Sequence, residues 1–180
     1  MLKNLQKELQ ALGSFVVQES RSNLTKDKQN VTRELFNSIG YDKDNKNGIY
    51  SINWFMDYYG NFIDKGVHGT KSSYVTAKNS PFKYKESSKL MGLEYHTGIF
   101  SKWAKKKNIR LRDDKGRFKK GNYKSIGFVL ARSVKEKGIK PSFFFTKAFE
   151  SAFKKFPDLL AEAFIEDMKI VLKQNNNGKN

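Results

Sequence analysis

The sequence predicts an α+β fold: a small, mostly antiparallel sheet packed with N-terminal, central and C-terminal helices, plus a long basic insertion. Three observations lead there. Leucines recur at helical spacing near the start. An alternating stretch around Asn47-Gly48 reads as a β-hairpin. The net charge of +17 over 180 residues is gathered into one middle segment. Residues 1–64 carry 8 basic and 8 acidic side chains, residues 65–137 carry 20 and 5, and residues 138–180 carry 7 and 5. An excess of +15 in one segment points to a local electrostatic task and not to general solubility.

Composition sets the outer limits. The length suits one domain, expected over residues 1–174, with the insertion at about 67–137 and a polar tail at 175–180 expected to be disordered. Apolar residues make up 38%, and 15 of the residues are phenylalanine, so the core is expected to be aromatic. There is no cysteine, which excludes disulfides and thiolate metal sites. The opening MLKNLQKELQ has no apolar core of the kind a secretory signal needs. No run approaches the ~20 apolar residues of a membrane span.

In chain order, residues 1–23 read as an amphipathic helix through Leu2, Leu5, Leu9 and Leu12, continued by Phe15, Val16 and Val17. Its apolar face suits either its own domain or an oligomer contact. Gly13 weakens it by roughly 1 kcal/mol relative to alanine. Leu35 to Trp54 alternates like two strands, and Asn47-Gly48 is a favoured turn pair between them. Trp54, Tyr58 and Phe62 then fall at i, i+4 and i+8, with Phe55, Tyr59 and Ile63 one position on. This predicts an aromatic helix over about 54–65, released by the flexible Gly66-Val67-His68-Gly69. That helix is expected to close the core against the hairpin before it and against Pro141–Ala148. A long irregular excursion follows over 67–91, and a partly helical stretch over 90–107. A short hairpin is expected around Asp114-Lys115-Gly116. Tyr123 to Lys137 is helical by pattern, with Gly138 suited to its C-terminal end. Phe143-Phe144-Phe145 reads as a buried strand, Thr146 as the cap of a helix to Phe156, and Pro157 as its end. A final helix is expected from Asp158 to about Gln174.

Little in the sequence supports catalysis. His68 and His96 have no nucleophile or ligand motif beside them, and His68 reads as a turn residue. Asp42, Asp44 and Asn45 miss calcium-loop spacing, because Lys46 holds a ligand position and no glutamate closes the loop. Glu162, Glu166 and Asp167 read as a solvated helix face. No phosphate-cradling glycine loop occurs. The expectation is no enzymatic role, no cofactor and no metal.

The basic window is more informative. Between Lys102 and Lys124 there are 11 basic and 2 acidic residues. Lys102, Lys105, Lys106, Lys107, Arg110, Arg112, Arg117, Lys119 and Lys120 are interleaved with Trp103 and Phe118. Such a patch can neutralise phosphates in a salt-sensitive way. Without a recognition helix or RNA-binding motif, its binding would be sequence-independent. A solvated loop, or one docked on an acidic neighbour, fits the same residues.

Three segments carry a resemblance: Thr32 to Ile39 (TRELFNSI), Tyr59 to Thr70 (YGNFIDKGVHGT) and Pro141 to Ala148 (PSFFFTKA). In this order they resemble tailed-bacteriophage neck and tail-completion proteins of the head–tail connector family. Members commonly read close to Tyr-Ala-x-Phe-Val-Glu-x-Gly-Thr and Arg-Pro-Phe-Leu-x-x-Ala. Here Gly60 stands for the alanine, and Asp64 lies near the glutamate position. The motif residues Tyr59, Phe62, Gly66, Gly69, Pro141, Phe143, Phe144 and Ala148 are expected to be structural. The resemblance implies a virion protein, made in the host cytoplasm and built into the neck or tail. It implies a six- or twelve-fold homo-oligomeric ring that touches portal or adjacent neck and tail proteins and contacts passing genomic DNA, without membrane association. The basic insertion lies outside the shared pattern, so no family role extends to it.

Overall fold

The computed structural model describes residues 2–27, 33–71, 77–86, 97–119 and 121–177. The fold is α+β: among the described residues there are N-terminal, central and C-terminal helices and two small two-stranded antiparallel sheets. The chain divides into two compact units. Residues 1–57 join with 143–180, and residues 58–142 form the second unit. The expected insertion therefore lies wholly inside the second unit.

The first unit is built on two long antiparallel helices. Helix α1 (Lys3–Lys26) buries Gly13, Val16, Val17, Ser20 and Leu24, at the spacing that predicted it. Helix α6 (Phe144–Asn177) lays Ala148, Ala152 and Phe156 against Val16. Leu12, Phe15, Trp54, Phe145, Phe149 and Leu160 pack around that cluster. The core is aromatic: the Trp54 and Phe149 rings meet edge-on at 4.7 Å, and Phe15 and Phe156 lie 5.4 Å apart.

Strands β1 (Gly40–Lys46) and β2 (Ile49–Phe55) pair in register from Gly40 opposite Phe55 to Lys46 opposite Ile49. At the turn, Asn47 (φ 53°) and Gly48 (φ 79°) both take positive φ. This is what a two-residue hairpin with the right-handed strand twist requires. The hairpin seats on α1 at Gly13, where the Tyr41 ring occupies the space a Cβ would need. Trp54 Nε1 donates to the Gly13 carbonyl at 3.4 Å. The helix-weakening glycine is thus where the sheet meets the helix.

Four sequence expectations fail here. Residues 54–65 are not one helix. Trp54 and Phe55 belong to β2, paired with Tyr41 and Gly40, and only α3 (Gly60–Lys65) is helical. The hairpin ladder takes over the period-2 pattern before the aromatic period-4 pattern can act. Residues 35–38 form not a strand but helix α2 (Glu34–Ser38). The Arg21 guanidinium reaches from α1 to the carbonyls of Phe36 and Ile39 at 2.9 and 3.0 Å, taking acceptors that a strand would offer a neighbour. Phe143–Phe145 is not a strand either. Phe143 sits at φ 55° and α6 begins at Phe144, whose buried side chain closes the core, so Thr146 lies inside the helix. Lastly, Pro157 does not end a helix. One apolar face, from Ala148 through Ala152 and Phe156 to Ala163, runs past it. Burial on both sides offsets the ~3 kcal/mol that a mid-helix proline costs. The helix continues to Asn177, into the stretch expected as tail.

Asp167 also departs from expectation. Glu162 and Glu166 are solvent-exposed, but Asp167 is 3% exposed. Its two carboxylate oxygens accept from Asn4 N (3.1 Å) and Leu5 N (2.9 Å). Leu2, at the N-cap position of α1, provides no capping side chain. A residue of α6 therefore supplies the cap, satisfying two orphan donors and countering the positive end of the helix dipole.

The second unit holds α3, strand β3 (Val67–His68), helices α4 (Thr97–Lys106) and α5 (Tyr123–Lys137), and strand β4 (Gly138–Ile139). β3 and β4 pair antiparallel, and His68 also bridges Lys83 in parallel. The α3 exit meets Pro141-Ser142 as expected, since Ile63 O accepts from both Ser142 N and Ser142 Oγ at 3.0 Å. Gly66 has φ 71°, and a Cβ there would stand 2.6 Å from Ile139 O and 2.8 Å from Pro141 N. Helix α5 spans the predicted residues, with Asn122 Oδ1 capping Ser125 N at 2.8 Å. Gly138 N returns to Val134 O at its end. Among the described residues, no helix is long and apolar enough to cross a membrane.

Candidate functional site

The two units differ sharply in charge. The first carries 14 basic and 12 acidic side chains, a balance of +2. The second carries 21 and 6, a balance of +15. The charge excess seen along the sequence is therefore one folded body.

Within that body the basic window takes a definite shape. Lys102, Lys105 and Lys106 lie exposed on α4, while Ala104 is buried and α4 packs against α5. Lys107 follows at the helix end. Asn108 turns the chain with φ 51°, and Ile109 N donates to Ala104 O. Arg110, Arg112, Arg117 and Lys119 sit on the expected small hairpin. Its arms join through an Arg112–Phe118 bridge and Lys119 N donating to Leu111 O. Asp113 organises the tip: its carboxylate accepts from Lys115 N, Arg117 N and Arg117 Nε. That is an Asx-type turn, with Gly116 at φ 77°. Lys120 lies outside the described residues, as does His96.

The hairpin presents Phe118, 63% exposed, with the Arg112 guanidinium 4.5 Å and that of Arg110 5.7 Å from its ring centre. Beside it opens a cleft of about 300 Å³, lined by Ile109, Arg110, Leu111, Phe118, Lys119, Gly121, Tyr123 and Ile126. Among the described residues, no acidic side chain lines it. Sequence reasoning identified the cations but not Leu111, Tyr123 and Ile126, because their convergence depends on the hairpin folding back over the start of α5. The Asp-Asp-Lys-Gly turn was the only available signal.

No family model, no curated protein and no solved structure matches the chain. The resemblance to connector proteins stands on its three motifs alone.

Those motif residues form two groups. In the second unit, Phe62 stacks edge-on with Tyr58 and Phe82 at 5.2 and 4.6 Å, Tyr59 O accepts from Phe62 N, and Gly66, Gly69 and Pro141 are buried. In the first unit, Phe143 O receives Lys147 N, Phe144 O receives Asn23 Nδ2 at 3.0 Å, and Ala148 lies in the core. Of TRELFNSI, residues 33–39 form the arm containing α2, and Thr32 lies outside the described residues. Phe62, Gly66, Gly69, Pro141, Phe144 and Ala148 are thus packed or buried, and Tyr59 and Phe143 act through their backbone carbonyls.

Two electrostatic details complete the second unit. Glu136 Oε1 receives Lys71 Nζ and Arg132 Nε, both at 3.0 Å. The Lys71 hydrogen bond, then that of Arg132, lowers its carboxyl pKa below the ordinary value. His68 is not the expected turn residue: it belongs to β3, opposite Gly138 and bridged to Lys83, and its Nδ1 lies 2.8 Å from Gly69 O. Among the described residues, no group of three His, Cys, Asp or Glu side chains could hold a metal ion.

The first unit has an uncovered surface of another kind. Along α6, Phe153 (72% exposed) and Phe164 stay open to solvent beside the stripe that packs on α1, and Ile165 and Leu172 are exposed roughly 100° further round the helix.

Proposed function

We propose that this chain is a structural subunit of a tailed-phage neck. It would form a ring at the head–tail junction around the DNA passage, joining portal-side to tail-side components. The observation that carries this reading is the division of labour between the units. A nearly neutral unit leaves large apolar side chains of α6 exposed, and a separate unit carries +15. A ring subunit needs apolar surface for heterologous contacts with its neighbours. A DNA passage calls for diffuse positive charge that attracts phosphates without a sequence-specific grip. The motif residues support the reading as packing positions, and an enzymatic role forms no part of it.

The test is to replace Lys105, Lys106, Lys107, Lys119 and Lys120 together with glutamine in assembling particles. The expected result is loss of packaged DNA or failure of neck assembly. Particles of normal yield and DNA content would overturn the reading.

A further inference from the structure

We propose that the cleft beside Phe118 binds a single nucleotide unit of single-stranded nucleic acid. The base would lie against Phe118 and the apolar floor of Leu111 and Ile126, with the backbone phosphate held by Arg110 and Lys119. This is a site within the basic unit and does not depend on ring assembly.

Four observations converge. Phe118 is 63% exposed although it closes a bridge with Arg112, and an exposed ring beside cations is the stacking platform of single-strand binders. The cleft, about 300 Å³, is walled by Arg110 and Lys119 with Tyr123 beside them, at the lower end of small-ligand site volumes. Of the hairpin's two carboxylates, Asp113 is engaged by Arg117 and two backbone N–H groups, and neither Asp113 nor Asp114 is among the described residues that line the cleft. Finally, the tip is built in advance: the Asx turn and the Arg112 Nη1 bond to Gly116 O at 2.8 Å hold Phe118 in place. A duplex keeps its bases stacked inside and can offer this surface only phosphates. A single strand can place a base in the cleft, which favours it over duplex.

The experiment is fluorescence anisotropy of the full chain with labelled oligo(dT), oligo(U) and a hairpin duplex of equal charge, over a salt series. Comparing oligo(dT) with oligo(U) separates DNA from RNA as the source. Phe118→Ala should weaken single-strand binding about 5- to 150-fold, the range for losing one base–aromatic stack, and leave duplex binding within about twofold. Phe118→Tyr should retain single-strand binding, which separates ring loss from collapse of the hairpin. Arg110→Gln with Lys119→Gln should reduce the single-strand salt slope by about 0.7, the single-strand value for one neutralised phosphate. Lys147→Gln with Lys154→Gln, the same charge change in the other unit, should leave that slope unchanged. Equal loss on single strand and duplex in Phe118→Ala, or no loss on either, overturns the proposal. So does Phe118-dependent capture of an acidic peptide without oligonucleotide binding. A monomer that binds single strands in this way would sustain the site while overturning the ring.

Discussion

Removing the carboxylate of Asp167 should loosen the whole first unit, although Asp167 lies in the C-terminal half of α6 and its effect falls on the start of α1. Two backbone donors, Asn4 N and Leu5 N, depend on it at 3.1 and 2.9 Å. No acidic residue occupies the first turn of α1, and the N-cap position offers no side chain. Asp167→Ala strands both donors in a partly buried place, at about 1–3 kcal/mol for an unsatisfied group. It also removes a dipole interaction of about 0.3–1 kcal/mol. Water reaches the frayed end and returns part of this, so a net loss of about 2–4 kcal/mol is expected. For a chain of this size that lowers the melting temperature by roughly 4–16 °C. Asp167→Asn keeps one acceptor without the charge and should lose about half as much. Exposed Glu166→Ala is the control, expected within about 0.5 kcal/mol of wild type. Urea titration followed by far-UV circular dichroism measures all three. Asp167→Ala melting with Glu166→Ala would refute the cap as a stabilising contact.

Three further outcomes follow from the same geometry. Gly66→Ala forces a side chain into a positive-φ position already 2.6 Å from Ile139 O. It should cost more than about 3 kcal/mol or prevent the second unit from folding, seen as loss of protease resistance in residues 58–142. Pro157→Ala restores a helical N–H at an exposed position of α6 and should stabilise by about 1–3 kcal/mol by urea titration. Unchanged or lower stability would mean that the proline shapes the packing on α1. The pKa of Glu136 is lowered in the folded state, so its bridges to Lys71 and Arg132 contribute fully above its ordinary value of 4.5. That contribution fades as pH falls through the lowered folded value. Wild type should therefore lose its advantage over Glu136→Gln on acidification, and added salt should shrink the difference at neutral pH. A pH-independent difference would contradict the pairing.

What could be seen in the sequence follows from the range of the interactions. Helix α1, the Asn47-Gly48 turn, α5 with its Gly138 end, and the Asp114–Gly116 turn are set by local spacing and local φ preference, and all appear where expected. The misplacements came where a long-range partner decided the outcome. Trp54 reads equally well at period 2 and period 4, and only pairing with Tyr41 resolves it. Pro157 ends a helix by local rule, but the α1 surface holds both halves in line. Asp167 looks like its solvated neighbours until the start of α1 is laid beside it. The same split holds at the candidate site. The cations and Phe118 stand out in the sequence, whereas Leu111, Tyr123 and Ile126 become walls of one cleft only when the hairpin folds back.

The central claim is that the chain assembles into a ring, and its most direct test is native mass measured beside electron-microscope images of the purified chain. The account predicts particles of six or twelve times the 20.8 kDa subunit with a central opening, reverting to monomer when Phe153, Phe164 and Leu172 are replaced by serine. A 20.8 kDa monomer at every concentration, unaffected by those substitutions, would contradict it.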